Sequence, residues 1–331
     1  MRALLLAAIA LAMSTSASAQ ADPSPPGEWS LAIHGGAGTL QRARMTAQQQ
    51  ADYKASLQIA LDAGAKVLRD GGAALDAVTA VITILEDDPK FNAGRGAVFT
   101  WDGTNELDAA IMDGNGRRAG AVAGVRTVRH PILLARKVMD DGRHVFLSGE
   151  GAEQFAGEQV LEIVPPEFFA TPERKAQLDK LKAENLSALD VEFKYGTVGA
   201  VARDNAGHLA AGTSTGGMTG KRWGRIGDAP VIGAGTWADD RACAVSATGS
   251  GEYFIRAGVA HAICDRVLLA GEDIDTAAHA VMAEVGELGG SGGVIVVGAD
   301  GAPVFALNTP GMYRGRATAG GMNEVAIFAD E

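Results

Sequence analysis

The sequence predicts an α+β fold in which antiparallel sheets are covered by helices. Strand-like and helix-like runs come in blocks rather than in strict β-α-β alternation, and each half of the chain contributes both strands and two or more helices. A four-layer αββα sandwich fits this distribution, though periodicity alone does not require it. The 331 residues, 47% of them hydrophobic, are enough for one large or two small domains with a real core.

Taken in order, Trp29 to Ile33 reads as a buried strand, followed by a turn at His34-Gly35-Gly36-Ala37-Gly38. From Ala47 to Arg69 apolar residues recur at helical spacing, with Thr46 able to cap the start and Gly71-Gly72 to stop it. A second helix spans about Ala73 to Glu86. Glycine-punctuated strands are expected at Ala97 to Thr100, Leu107 to Met112 and Ala119 to Val125, the last two joined by Asp113-Gly114-Asn115-Gly116. Pro131 opens a third helix, running to Met139. Residues 157–196 change character, with Pro165-Pro166, Thr171-Pro172 and a charged helical run from Glu173 to Glu184, and read as an exposed linker. The second half predicts strands at Val198 to Arg203, His208 to Thr213, Val231 to Ala234 and Cys243 to Ala247. Helices follow at Glu252 to Leu269 and Ile274 to Val285, then four short strands between Gly293 and Phe328.

The N-terminus places one positive charge before a short apolar run and then Ala17-Ser18-Ala19, the layout of a signal peptide over residues 1–19. An N-terminal membrane anchor is the alternative, but the run is too short to span a bilayer. Residues 20–28 read as a flexible lead-in, and the expectation is an exported, periplasmic protein with no membrane partner after cleavage. The net charge of −11 argues against a nucleic-acid partner. Cys243 sits in a strand-like run and Cys264 in a helical one. An oxidising compartment would permit a bond, but buried free thiols are the expected state. The six histidines never adopt metal-ligand spacing, so no zinc site is expected.

The chemistry centres on Thr197, in Tyr195-Gly196-Thr197-Val198-Gly199, where a polar segment gives way to an apolar strand. A threonine hydroxyl needs a base, and an N-terminal threonine carries its own α-amine, with a pKa near about 8. Cleavage between Gly196 and Thr197 would create that amine, and a residue without Cβ allows the distorted backbone a self-attack requires. Alone, Gly-Thr is a common strand start. Here it precedes Thr213-Ser214-Thr215-Gly216-Gly217, Arg225-Ile226-Gly227-Asp228 and Thr248-Gly249-Ser250-Gly251-Glu252, with Asn92-Ala93-Gly94-Arg95-Gly96 upstream.

This series resembles the plant-type asparaginase / isoaspartyl peptidase family of N-terminal-nucleophile hydrolases, over nearly all of residues 29–328. The resemblance implies the four-layer αββα sandwich and self-cleavage at Gly196-Thr197. Residues 29–196 and 197–331 would then be two subunits of one folded unit, dimerising with a second copy. It places Thr197, Asn92, Thr215, Thr248 and Gly249 in the catalytic machinery, the last two as an oxyanion site. Arg225 would bind the substrate α-carboxylate and Asp228 its α-ammonium, with Thr248, Gly249 and Gly251 lining the same site. Read alone, Arg225 and Asp228 are better taken as a loop ion pair, and Thr248-Gly249 as a turn before a helix. The resemblance also implies a structural sodium ion on the backbone carbonyls of Leu85, Glu86, Asp88, Phe91, Ala93 and Arg95, and no catalytic cofactor. Trp223 departs from it as a bulky residue before Arg225, narrowing the pocket mouth or packing on the loop.

The expected activity is release of aspartate from β-aspartyl peptides or L-asparagine. A glycosylasparaginase of the same superfamily is the alternative; there the residue before the nucleophile is typically aspartate. Two readings of other classes compete. Gly212-Thr213-Ser214-Thr215-Gly216 satisfies G-x-S-x-G, with His261 and His279 downstream, yet a loop rather than a helix follows it. An exported amino-acid-binding protein would use Arg225 and Asp228 but gives Gly196-Thr197 no role.

Overall fold

The computed structural model describes residues 28–184 and 196–331; the expected signal peptide and most of the expected lead-in lie outside the described residues, as does 185–195 of the expected linker. The first half holds strands β1 (Ser30–Gly38), β2 (Leu107–Asp113), β3 (Arg118–Val125) and β4 (Phe146–Ser148), and helices α1 (Ala47–Arg69), α2 (Ala74–Asp87), α3 (Pro131–Asp141), α4 (Gly149–Glu158) and α5 (Pro172–Ala183). The second holds β5 (Val198–Arg203), β6 (Leu209–Thr215), β7 (Thr236–Ala238), β8 (Cys243–Gly249), β9 (Gly292–Gly298), β10 (Pro303–Leu307), β11 (Gly311–Thr318) and β12 (Asn323–Phe328). Its helices are α6 (Gly251–Ala257), α7 (Val259–Ala270) and α8 (Ile274–Glu287).

The strands form an eight-stranded sheet, ordered β12-β11-β1-β5-β6-β2-β3-β4, and a four-stranded sheet, β10-β9-β8-β7. The ladders are antiparallel except for β3–β4. Alternation along the strands distributes the core. On β1, Leu31 and Ile33 pack with Leu57 and Leu61 of α1 and Val78 and Ile82 of α2. The intervening Ala32 packs instead with Val201, Ala211, Ala244 and Ile295, from both sheets. Val245 and Val294 turn the other way, onto Ile263 and Val281 of the second helix group. Each fully buried Leu or Ile contributes roughly 1.5–3 kcal/mol. A capping box fixes the start of α1, with Thr46 Oγ1 accepting from Gln49 N and Gln49 Oε1 from Thr46 N.

Several elements differ from the sequence reading. His34 to Gly38 continues β1, with a register irregularity between His34 and Gly36, because β11 pairs with the segment throughout. Residues 97–100 make only one isolated bridge, Phe99 with Asn105, and 231–234 form a turn ahead of β7. Gly258, left-handed at φ 59°, splits the expected helix into α6 and α7. Within 157–184 most side chains are exposed, yet Phe169, Leu178 and Leu181 are buried and anchor the segment. Cys243 and Cys264 are not free thiols: they form a disulfide, with Cα atoms 5.4 Å apart, because α7 packs directly on β8.

Candidate active site

Strand register assembles the site. On adjacent antiparallel strands, Gly199 lies opposite Thr213 and Val198 opposite Ser214. The next row sets Thr197 beside Thr215, and their hydroxyl oxygens are 2.9 Å apart. Because side chains alternate, Thr213 and Thr215 face the second sheet. Ser214 faces the helices, where its hydroxyl donates to Glu86 Oε1 at 2.6 Å. From the second sheet Ser246 meets Thr213 at 2.7 Å. Thr248, one pleat further along β8, faces the same way. It is buried, and its Oγ1 has no hydrogen-bond partner among the described residues.

The bond before Thr197 is held from two sides. The Gly196 carbonyl accepts from Asn92 N at 2.9 Å. Asn92 is itself pinned: Nδ2 donates to Gly217 O at 2.7 Å and Oδ1 accepts from Val98 N at 2.9 Å. A Cβ on residue 196 would fall 2.7 Å from the Asn92 Cβ. Gly36, at φ 111°, closes the other side, where a Cβ would lie 2.6 Å from Gly196 Cα. Thr215 Oγ1 also accepts from Gly217 N at 3.0 Å.

Arg225, Asp228 and Gly251 form a second group. A Cβ on Gly251 would lie 2.9 Å from both Arg225 Nη2 and Asp228 Oδ1, so guanidinium and carboxylate flank one small space. Asp228 is buried, its Oδ2 has no partner among the described residues, and burial raises its carboxyl to about 7 against the pull of Arg225. Gly249 closes the end of β8 opposite Gly292, where a Cβ would meet Ser291 O at 2.5 Å. Among the described residues no hydrogen bond joins Arg225 or Asp228 to Thr197. The groups are related through β8, which carries Ser246 and Thr248 and leads into Gly251.

Other sequence candidates are separated. Ser214 is turned toward Glu86, and His261 and His279 are partly exposed, each near an aspartate on its own helix; no serine triad forms. Of the six loop carbonyls, Glu86 O accepts from Arg95 N at 2.7 Å and Asp88 O from Phe91 N at 3.1 Å. No group of three His, Cys, Asp or Glu side chains is placed to hold a metal among the described residues. Trp223, at φ 57°, is 95% exposed rather than packed on its loop.

Two relationships had escaped the sequence. Glu252 binds Arg225 through Nε at 2.9 Å and Nη2 at 3.0 Å; its position directly after Gly251 was the only signal. His34 reaches the Thr197 carbonyl through Nδ1 at 3.0 Å, and only its place in the His-Gly-Gly run pointed to the site.

A family model described as Asparaginase matches residues 27–327. The chain is 47% identical to an isoaspartyl peptidase of Salmonella typhimurium over 91% of its own length and 98% of that protein. It is 46% identical to an isoaspartyl peptidase of Escherichia coli, over 92% and 98%. It is 41% identical to an isoaspartyl peptidase/L-asparaginase of Mus musculus, over 81% of each chain.

Proposed function

Because this chain belongs to the asparaginase family, we propose that it is an amidohydrolase releasing aspartate from β-aspartyl peptides and L-asparagine, after cutting itself between Gly196 and Thr197. The observation that carries the reading is the pairing of Thr197 Oγ1 with Thr215 Oγ1 at 2.9 Å beside a Gly196 carbonyl bound by Asn92 N–H. The two sheets and the helices packed on them support the four-layer αββα sandwich of N-terminal-nucleophile hydrolases as the architecture.

In self-processing, Thr197 Oγ attacks the Gly196 carbonyl carbon. The C–N bond breaks as the C–O bond forms, and the departing nitrogen takes up the hydroxyl proton. Asn92 N–H stabilises the charge developing on the carbonyl oxygen, and water hydrolyses the ester to free the Gly196 carboxylate. The new α-amine then acts as base. It takes the Thr197 hydroxyl proton as Oγ attacks the side-chain carbonyl of a β-aspartyl group, and returns a proton to the leaving amine. Thr248 Oγ and Gly249 N–H donate to the oxyanion, Thr215 orients the nucleophile, and water releases aspartate.

Arg225 reads the substrate α-carboxylate and ionised Asp228 the α-ammonium, in the space over Gly251. The fit of residue 196 against Asn92 favours this branch over a glycosylasparaginase, since an aspartate side chain there would collide. The six loop carbonyls suit a hard monovalent cation, as each oxygen keeps a second lone pair; a sodium ion bound there would brace the loop leading to Asn92. Export to the periplasm accords with the N-terminal residue pattern and the Cys243–Cys264 disulfide, and the working form is a dimer of processed units, checked by cell fractionation and by light scattering.

The test is intact mass and N-terminal sequencing of incubated protein, followed by assay on a β-aspartyl dipeptide. Two fragments are expected, the smaller beginning Thr-Val-Gly-Ala, together with aspartate release. Thr197→Ala should remain full-length and inactive. A wild-type chain that stays whole, or an active Thr197→Ala, would overturn the reading.

A further inference from the structure

We propose that His34 is a positioning residue that donates its Nδ1–H to the Thr197 carbonyl, its tautomer locked by a chain of hydroxyls that starts at Thr236 on β7. The inference rests on Thr197 being the nucleophile.

Proton counting gives the chain a direction. A carbonyl can only accept, so the nitrogen 3.0 Å from Thr197 O carries hydrogen. Burial pushes the His34 imidazole down to about 3, against its hydrogen bond to Thr197, so the ring is neutral and Nε2 is bare. Ser246 Oγ, 2.9 Å away, must give Nε2 its only proton. The Thr213 oxygen lies 2.7 Å from Ser246, a separation that needs a proton Ser246 no longer has, so Thr213 supplies it; Gly235 O, 3.0 Å from Thr213 Oγ1, accepts instead from Ala247 N at 2.9 Å. By the same count Thr236 donates to Thr213 at 2.7 Å. Thr236 has then spent its proton, so the 3.1 Å approach of its Oγ1 to Ala229 O carries no hydrogen bond in this arrangement, and the chain ends at Thr236 on β7.

All four side chains are fully buried, in the apolar space between the sheets. A polar row there is costly unless every member is satisfied, and here each is. Gly199 makes the row possible: a Cβ at that position would collide with both Ser246 Oγ and His34 Nε2. The glycine two residues after the nucleophile thus admits the histidine that holds the nucleophile's carbonyl. The chain crosses from one sheet to the other and ties Thr197 to β7 of the second sheet.

Two substitutions separate positioning from packing. The amide nitrogen of asparagine falls where Nδ1 lies, and the end of glutamine reaches the place of Nε2. His34→Asn should keep kcat on a β-aspartyl dipeptide within about threefold, whereas His34→Gln should lose roughly tenfold to a hundredfold in kcat, the scale for a misplaced reacting group. KM should be unchanged in both, and thermal midpoints should fall alike. Parallel losses in the two variants, or no loss in either, would overturn the proposal. Nitrogen-15 NMR of full-length Thr197→Ala gives a readout free of turnover: Nδ1 protonated and Nε2 bare from pH 5 to 8. A proton on Nε2 would overturn it too. A wild-type protein that fails to hydrolyse β-aspartyl dipeptides would sink the functional reading and leave the tautomer result standing.

Discussion

Arg225 grips Glu252 along one edge of its guanidinium, with Nε 2.9 Å from Oε1 and Nη2 3.0 Å from Oε2. Partial burial pulls the Glu252 carboxyl upward, but these bonds overcome it and hold the group below its ordinary value. In the proposed function the remaining Nη1 edge receives the substrate carboxylate, aimed by Glu252. Glu252→Gln should therefore raise KM by roughly tenfold, about 1.4 kcal/mol, with kcat and self-cleavage unchanged in steady-state and mass assays. A fall in KM would show Glu252 competing with substrate for Arg225. Arg225→Ala should process normally but lose roughly 2–5 kcal/mol of substrate binding; normal kinetics would make the residue structural.

Asp228 predicts a pH profile. Its carboxyl sits near 7 because burial disfavours the charge, and only the ionised form pairs with an ammonium. kcat/KM should rise as pH increases through about 7. Stability should run the other way. Below about 4 the group is neutral in both folded and unfolded chains. Between there and about 7 only the unfolded chain releases its proton, so folding stability falls as pH rises. Asp228→Asn should melt higher than wild type at pH 8 and bind substrate poorly. A flat thermal midpoint from pH 4 to 8 in both proteins would contradict this.

The extent of sequence legibility follows from sequence distance. Thr197 and Thr215 meet because two neighbouring strands, legible as a pair from local patterning, share a register; the meeting of these two residues was implied by the resemblance. Asn92 was legible only through the resemblance of its segment to the family. Glu252 and Ser246 did not, since their partners lie 27 and 212 residues away and nothing in spacing fixes such pairs. The apolar run at 231–234 mimics a strand, but Gly233 and Gly235 turn it. The cysteines, 21 residues apart, carried no spacing signal; only the docking of α7 on β8 decides their state.

Reduction checks that pairing directly. A bridge closing a loop of this length constrains the unfolded chain by about 3 kcal/mol in the chain-entropy account. The Cys243→Ala/Cys264→Ala pair should lower the thermal midpoint by several degrees and leave kcat near wild type. Intact mass before reduction should lack one hydrogen per cysteine. Free thiols in the native protein under oxidising conditions would refute the bridge.

Thr248 yields the sharpest separation of folding from function. Its buried hydroxyl has no partner among the described residues, and such a group costs the folded state roughly 1–3 kcal/mol. Valine keeps the shape and removes the polar atom, so Thr248→Val should be as stable as wild type or more so. If the hydroxyl is held ready for an oxyanion, the same change should cut kcat by roughly a hundredfold to a thousandfold, with KM little altered. A structural hydroxyl would give the reverse, a lower melting point with activity retained. Opposite signs in calorimetry and kinetics are the expected result, because a donor aimed at charge that develops only during reaction is a liability to the resting protein and a benefit at the transition state.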